Sequence, residues 1–545
     1  MVGGGEGGSG GASSSGQAAQ GPTSGAGATM WDCADVTAAW VTPTGLSKAE
    51  YANTVRDLFG VEADVTADFP ADAVYGGDDG GPFRRGPLVS SPPQAHYLQA
   101  AGAVADLALA DIATLLGCDP VTAGEDACAQ QLIDTLGPRA LRRPLEAAES
   151  TNLFAAYTAA KNSGTFEQGI RAIVVTLVSS PSFVYRLEPD VSGANPGEVV
   201  PVPPYELATR LSYFLWKSLP DAELFAAAGS GEISTLEGLE AQAQRMLADP
   251  RTLATMEAFH LDLLNLDRGG YPTEDDKDPA KYPEFSNELM QDMRAEIGRF
   301  AQRVLLDEDG TLETLLNSRV GFVNDDLAAI YGLPPVGSTE LVEVELPAER
   351  VGLLTRAAFL TVNAHATSTS PTQRGLSIRR GLLCSDLPPP PPDIDTTIPA
   401  PGPGPMTLRQ RLEEATADPS CNACHRWFDP IGFTLEGFDG IGRVQSSDDG
   451  LPIDDSGVFL SEDADDQWPV DGPVGLAGLL DGHSITMECV AERWFQYALG
   501  VEDPNSLGCV QQGFMNGGFE GRKVRNLLLS IALSSAFRYR PALSP

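Results

Sequence analysis

One pentapeptide constrains this chain more than any other stretch: Cys421-Asn422-Ala423-Cys424-His425. Two thiols at this spacing reach the two vinyl groups of a haem, and an imidazole directly after the second binds the iron from the proximal side. Cysteine and histidine are rare here, so a chance C-x-x-C-H has odds on the order of one in a thousand by composition counting applied to that motif. Zinc is the chemical rival, but a structural zinc site wants a second nearby pair of Cys or His ligands, and no second CxxC or HxxxH exists. A thioredoxin-like redox pair expects a βαβ setting that the surrounding residues lack. The readings are therefore covalent haem first, then zinc or a disulfide.

The residues after the motif, HRWFDPIGFTLEGFDGIGR (425–443), supply Trp427, Phe428, Ile431, Phe433, Leu435 and Phe438. Such a wall excludes water from a haem and raises its potential, and it serves equally as ordinary core. Arg443 or Arg426 is placed to neutralise a propionate. The sixth ligand is to be sought among few groups, since the chain holds only His96, His260, His365, His425 and His483. His365, in the polar loop NAHATSTSPTQRG, is the leading distal candidate; Met406 and Met487 are thioether alternatives. His260 lies on an amphipathic helix and reads as structural. A filled sixth position favours electron transfer; an open one permits peroxide or small-ligand chemistry.

The chain has 545 residues, enough for about three or four domains. Its 36 Lys+Arg against 75 Asp+Glu leave a net charge of −39, which repels phosphate and argues against nucleic acid. That field suits a basic partner, or simply solubility. No stretch approaches the roughly 20 continuous apolar residues of a membrane span. The first 29 residues are mostly Gly, Ser and Ala, which reads as a flexible tether, and an export signal, such as one of the lipoprotein kind, is expected upstream. Eight cysteines fit an oxidising compartment. Cys118 and Cys128 flank a short acidic loop and are expected to pair. Cys489 and Cys509 bracket WFQYALG and are expected to pair likewise, leaving Cys33 with Cys384.

Helical periodicity recurs along the chain: 46–60, 96–116, 128–145 with an expected end at Gly137-Pro138, 166–187 with a Ser-Pro break and an aromatic exit, 205–224 with a stop at Pro220, 236–249, 256–266, 289–307 and 322–333. Strand-like alternation around 340–347 reads as a small hairpin. Pro388 to Pro392 form a stiff connector, followed by MTLRQRLEEATADPSCNACH as a helix running into the motif. The expected fold class is mainly α: a multidomain helical protein with minor β and a cytochrome c-like CxxCH module. The expected division is a tether (1–43), an N-terminal helical module (44–107), a small helical module (108–160), a central helical domain (161–300), a connecting segment (301–350), the CxxCH module (351–446) and a C-terminal helical module (447–545). No GxSxG, HExxH or P-loop is present. The acidic pairs Asp325-Asp326, Asp454-Asp455 and Asp465-Asp466 read as solvated surface.

Taken in order, LSKAEYANTVRDLFG, LGPRALRRPL, SPSFVYRLE with LATRLSYFLWKSLPDAELF, GLLTRAAFLTVNAHATSTSPTQRGLSIRRGLLCSDLPPPPPD, the CNACH block and ERWFQYALG resemble the planctomycete and myxobacterial multidomain cytochrome-like proteins. These are built of consecutive domains of unknown function, and the resemblance covers about residues 44–540. The CxxCH-x3-DPxGF-x-LExFD block is also similar to one in dihaem cytochrome c peroxidases, which implies haem at Cys421, Cys424 and His425. Those enzymes carry two CxxCH motifs and this chain one. The resemblance implies an extracytoplasmic redox or polymer-processing setting. Three functions follow as expectations: an exported monohaem cytochrome-like protein exchanging electrons with a partner protein, a haem peroxidase or oxidase with an open distal site, or a haem-free surface binding or scaffold protein.

Overall fold

In a computed structural model, residues 44–69, 94–188, 193–266, 271–385, 387, 404–461, 466–500 and 522–542 are described. The tether, Cys33, Cys509, the acidic loop at 76–81 and the prolines Pro388 to Pro392 lie outside the described residues.

Local chemistry sets the helix ends. Ser47 opens the helix Lys48–Phe59 with a capping box: its hydroxyl accepts from the Glu50 N–H while the Glu50 carboxylate accepts from the Ser47 N–H. Gly60 closes it at φ 71°, a left-handed conformation that costs glycine nothing. The same box recurs with Thr165 and Gln168 before Phe166–Val178, and with Thr407 and Gln410 before Leu408–Ala415. All strand pairing among the described residues consists of two-stranded antiparallel ribbons. The alternation at 340–347 becomes Val342–Glu345, paired with Val320–Val323.

Among the described residues, buried side chains gather into two cores. The first runs from Leu46 to Leu219 and joins Lys48–Phe59, Gln94–Ala108, Glu125–Leu141 and Phe166–Val178. The second runs from Val202 to Phe537 and is larger. In it the Phe259 and Trp494 rings stack 3.4 Å apart, and the Trp216 indole N–H donates to the Met246 carbonyl. Charge is buried there as well. Arg356 and Glu296 pair at 2.9 Å with both side chains fully enclosed, and the Tyr331 hydroxyl donates to the same carboxylate. Every member of this group has a partner, the condition under which buried charge is tolerated.

Three sequence expectations are corrected and one stands. The helix expected to end at Gly137-Pro138 runs on as Glu125–Leu141. A proline lacks a donor, but the tertiary structure captures the last turn: the Arg142 guanidinium donates to the carbonyls of Ser182, Phe183 and Tyr185. The helix expected to run into CNACH is two helices, Leu408–Ala415 and Pro419–His425. Asp418 caps the second, accepting from the Ser420 N–H, and Pro419 fits its first turn. The expectation of no clear membrane span stands: among the described residues Ala95–Leu116 passes by length and composition alone. Asp106 and Asp111 interrupt it, Asp106 pairs with Arg171, and Tyr97, Ala101, Val104 and Ala105 pack into the first core. Finally, Cys118 and Cys128 are bonded as expected, but Cys489 pairs with Cys384, not Cys509, and Cys384 is therefore not left for Cys33. Connectivity of this kind depends on which helices pack together, and the helix Pro371–Leu382 lies against Ser484–Leu499.

Candidate haem-attachment site

The helix Pro419–His425 carries both thiols and the imidazole, and none of its residues is buried. Cys421 and Cys424 are free thiols, Cys424 exposed and Cys421 half-buried. This excludes a closed disulfide at CNACH in this structure. A zinc site needs converging donors, and among the described residues no group of three or more His, Cys, Asp or Glu is arranged to hold a metal ion.

His425 is held from behind. Its Nδ1 lies 2.8 Å from Asp429 Oδ2, one helical turn on. A carboxylate only accepts, so in the neutral ring Nδ1 carries the proton and Nε2 keeps its lone pair. The His425 side chain is 29% exposed and Asp429 only 5%. The other Asp429 oxygen, Oδ1, accepts from the Thr372 hydroxyl at 2.7 Å. The Phe428 ring sits 5.0 Å from the imidazole.

The helix Pro371–Leu382 builds this support. Thr372, Gly375 and Arg379 are spaced i, i+3, i+7 and share a stripe. Thr372 reaches Asp429, while Arg379 donates to the carbonyls of Trp427 and Leu460. Gly375 lets the backbones meet: a Cβ there would fall 1.9 Å from the Phe428 carbonyl oxygen, and one on Gly432 would fall 1.9 Å from that of Pro371. Arg374, fully buried, donates to the carbonyls of Leu435, Phe438 and Asp439 and fixes the turn beyond. Its neighbour Glu436 accepts from Thr369, and burial pushes its carboxyl up to about 7.

The expected wall is mostly interior. Phe428, Ile431, Phe433, Leu435 and Phe438 are buried, and Ile431, Leu435 and Phe438 belong to the second core. Of these apolar groups Trp427 stays half-exposed, with Arg426 5.0 Å over its ring. Arg443 is engaged by Asp439 and Glu284, which leaves Arg426 the freer of the two expected propionate partners.

His365 lies at the surface in the turn closed by the Ala364–Thr369 bridge. Two lysines clamp this turn. Lys277 Nζ donates to the carbonyls of Thr361, Ala364 and His365, and Lys281 Nζ to that of Thr367. Burial, with the charge of Arg374, pushes Lys277 down to about 8. Partial burial and the Lys277 ammonium lower the His365 pKa, favouring the neutral imidazole. The turn leads directly into Pro371–Leu382, whose Thr372 touches Asp429. His260 is fully buried, as its helix pattern implies. Met406 is half-buried at the start of Leu408–Ala415, and Met487 packs against the second core. Sequence reasoning misses Asp429 and Thr372 as site residues. The signal for Asp429 is its place four residues beyond His425; Thr372 has none.

Family profiles match four successive stretches: residues 46–110 (protein of unknown function, DUF1587), 128–188 (DUF1595), 202–333 (DUF1592) and 350–448 (DUF1588). The last, whose profile is named PSCyt3, contains His365, Thr372, CNACH and Asp429. No curated protein and no solved structure matches the chain. The chain is a mainly helical protein in which four domains of unknown function follow one another, the fourth holding the thiol pair, His425 and its carboxylate.

Proposed function

We propose that this chain is an exported c-type cytochrome-like protein with one haem, working in extracytoplasmic electron transfer. Cys421 and Cys424 would hold the haem covalently, His425 would be its proximal ligand, and His365 the distal one. A haem so bound supplies one-electron chemistry. The observation that carries the reading is the state of the CNACH helix. Both thiols are free, no residue of the helix is buried, and His425 Nδ1 lies against Asp429, which in the neutral ring leaves Nε2 its lone pair. Two disulfides, Cys118–Cys128 and Cys384–Cys489, are compatible with export, and the profile name at 350–448 hints at a cytochrome. The charge of −39 suits a basic redox partner.

A peroxidase- or oxidase-like enzyme with an open distal site is the second reading. The carboxylate behind His425 favours it, because a hydrogen-bonded carboxylate makes the imidazole a stronger donor. The test is an absorption spectrum of protein exported in a host that attaches haem c, then a pyridine haemochrome assay after denaturation. A thioether-haem spectrum that survives denaturation and is lost in Cys421→Ala is expected. A colourless protein would overturn both haem readings and leave a binding protein. A low-spin spectrum that turns high-spin in His365→Ala supports electron transfer with His365 as ligand. A high-spin wild-type spectrum supports the open-site enzyme.

A further inference from the structure

We propose that Asp429 and Thr372 form a two-step tuner of the His425 ligand, Asp429 strengthening it as a donor and Thr372 weakening that effect. The inference rests on the haem reading above and assigns roles to two residues of this chain. Three observations lead to it. Asp429 Oδ2 is 2.8 Å from His425 Nδ1, and Asp429 is 5% exposed, so water competes little for this hydrogen bond. Its second oxygen is taken by the Thr372 hydroxyl at 2.7 Å, which comes from a different helix. That helix cannot drift away, since it meets the segment at two glycines, Gly375 against Phe428 and Gly432 against Pro371.

The signs of the two contacts differ. A carboxylate accepting from Nδ1–H draws that proton toward itself and leaves Nε2 richer in electrons. A richer donor stabilises ferric over ferrous iron and lowers the midpoint potential. A hydroxyl donating to Oδ1 takes up part of the carboxylate's charge, so it makes Asp429 a weaker acceptor toward Nδ1. Asp429 therefore lowers the potential, and Thr372 limits how far. Both are positioning residues, acting through His425.

Opposite signs make the idea testable with near-isosteric variants. In haem-loaded protein, Asp429→Asn is expected to raise the midpoint potential and Thr372→Val to lower it, with Asp429→Glu restoring part of the wild-type value. A merely structural role would loosen the ligand in both variants and move them in the same direction, and that outcome, or no movement, overturns the proposal. Nitrogen-15 NMR of His425 in haem-free protein tests the tuner independently of the cofactor. Wild-type protein is expected to hold its proton on Nδ1, and Asp429→Asn to shift the tautomer balance toward Nε2. An unchanged balance overturns the tuner even if the haem spectrum is as expected.

Discussion

His260 is enclosed in the second core, its Nδ1–H given to the Met256 carbonyl at 2.7 Å and its ring edge-on to Phe259 and Trp494. Burial pushes its pKa down to about 4. Unfolded histidine titrates near about 6.5, so between these values the unfolded chain binds the extra proton. The contribution of His260 is therefore whole above about pH 6.5, falls as the pH drops, and is spent near pH 4. Its size is on the order of 3 kcal/mol by the pKa-to-energy relation. Denaturant titrations from pH 7.5 to 4, read by tryptophan fluorescence, are expected to show this decline in wild type and a flatter profile in His260→Gln. Equal slopes would show that the decline comes from other groups. The sequence marks His260 as structural because an amphipathic pattern says which face is inside. It cannot mark Thr372 or Arg374, whose partners lie 57 and 61 to 65 residues away. A hydroxyl or guanidinium acquires its role only when the chain returns to it.

Helix existence is legible in the sequence and helix ends less so. Periodicity locates Lys48–Phe59 and Phe166–Val178, where the local capping chemistry found in the structure agrees with the packing. Pro138 misleads because its usual effect is local while the capture of Arg142 is tertiary. Asp418-Pro419 is a legible start signal, masked by the helical pattern on both sides. The contact between Pro371–Leu382 and Asp429–Phe433 is not legible, because a glycine in a helix looks like a weakness until the facing backbone is known. It can be tested directly. Gly375→Ala drives a Cβ toward the Phe428 carbonyl, and overpacking of this kind costs about 1–3 kcal/mol or more. Gly404→Ala, in open space, is the control and is expected to be near neutral. If haem is bound, the Gly375 variant is also expected to lower its midpoint potential, as Thr372→Val does, since displacing the helix pulls Thr372 from Asp429. Equal denaturation midpoints for the two variants would refute the close approach.

The molecule as a whole is divided by its cores and tied by its disulfides. Cys118–Cys128 spans 10 positions inside the first core; Cys384–Cys489 spans 105, and its loop encloses CNACH, Asp429 and the ribbon Ser456–Leu460 with Gln467–Asp471. Composition and cysteine count are compatible with an oxidising compartment but do not give the pairing, which follows from the packing of Pro371–Leu382 on Ser484–Leu499. The two bonds should differ in weight. In the chain-entropy account a loop near 10 residues contributes about 3 kcal/mol and one near 105 about 5 kcal/mol. Cys384→Ser with Cys489→Ser is therefore expected to lower the denaturation midpoint more than Cys118→Ser with Cys128→Ser. The loss should also be local. Trp494 stands five residues beyond Cys489 on the same helix, so its fluorescence should report early unfolding of the second core in the first variant and not in the second. Because that loop carries CNACH, the first variant should also, if the haem proposal holds, take up less haem per folded chain. If the short-loop variant proves the weaker in both readouts, loop entropy is not what the long bond contributes, and the fourth domain is held by its buried arginine contacts instead.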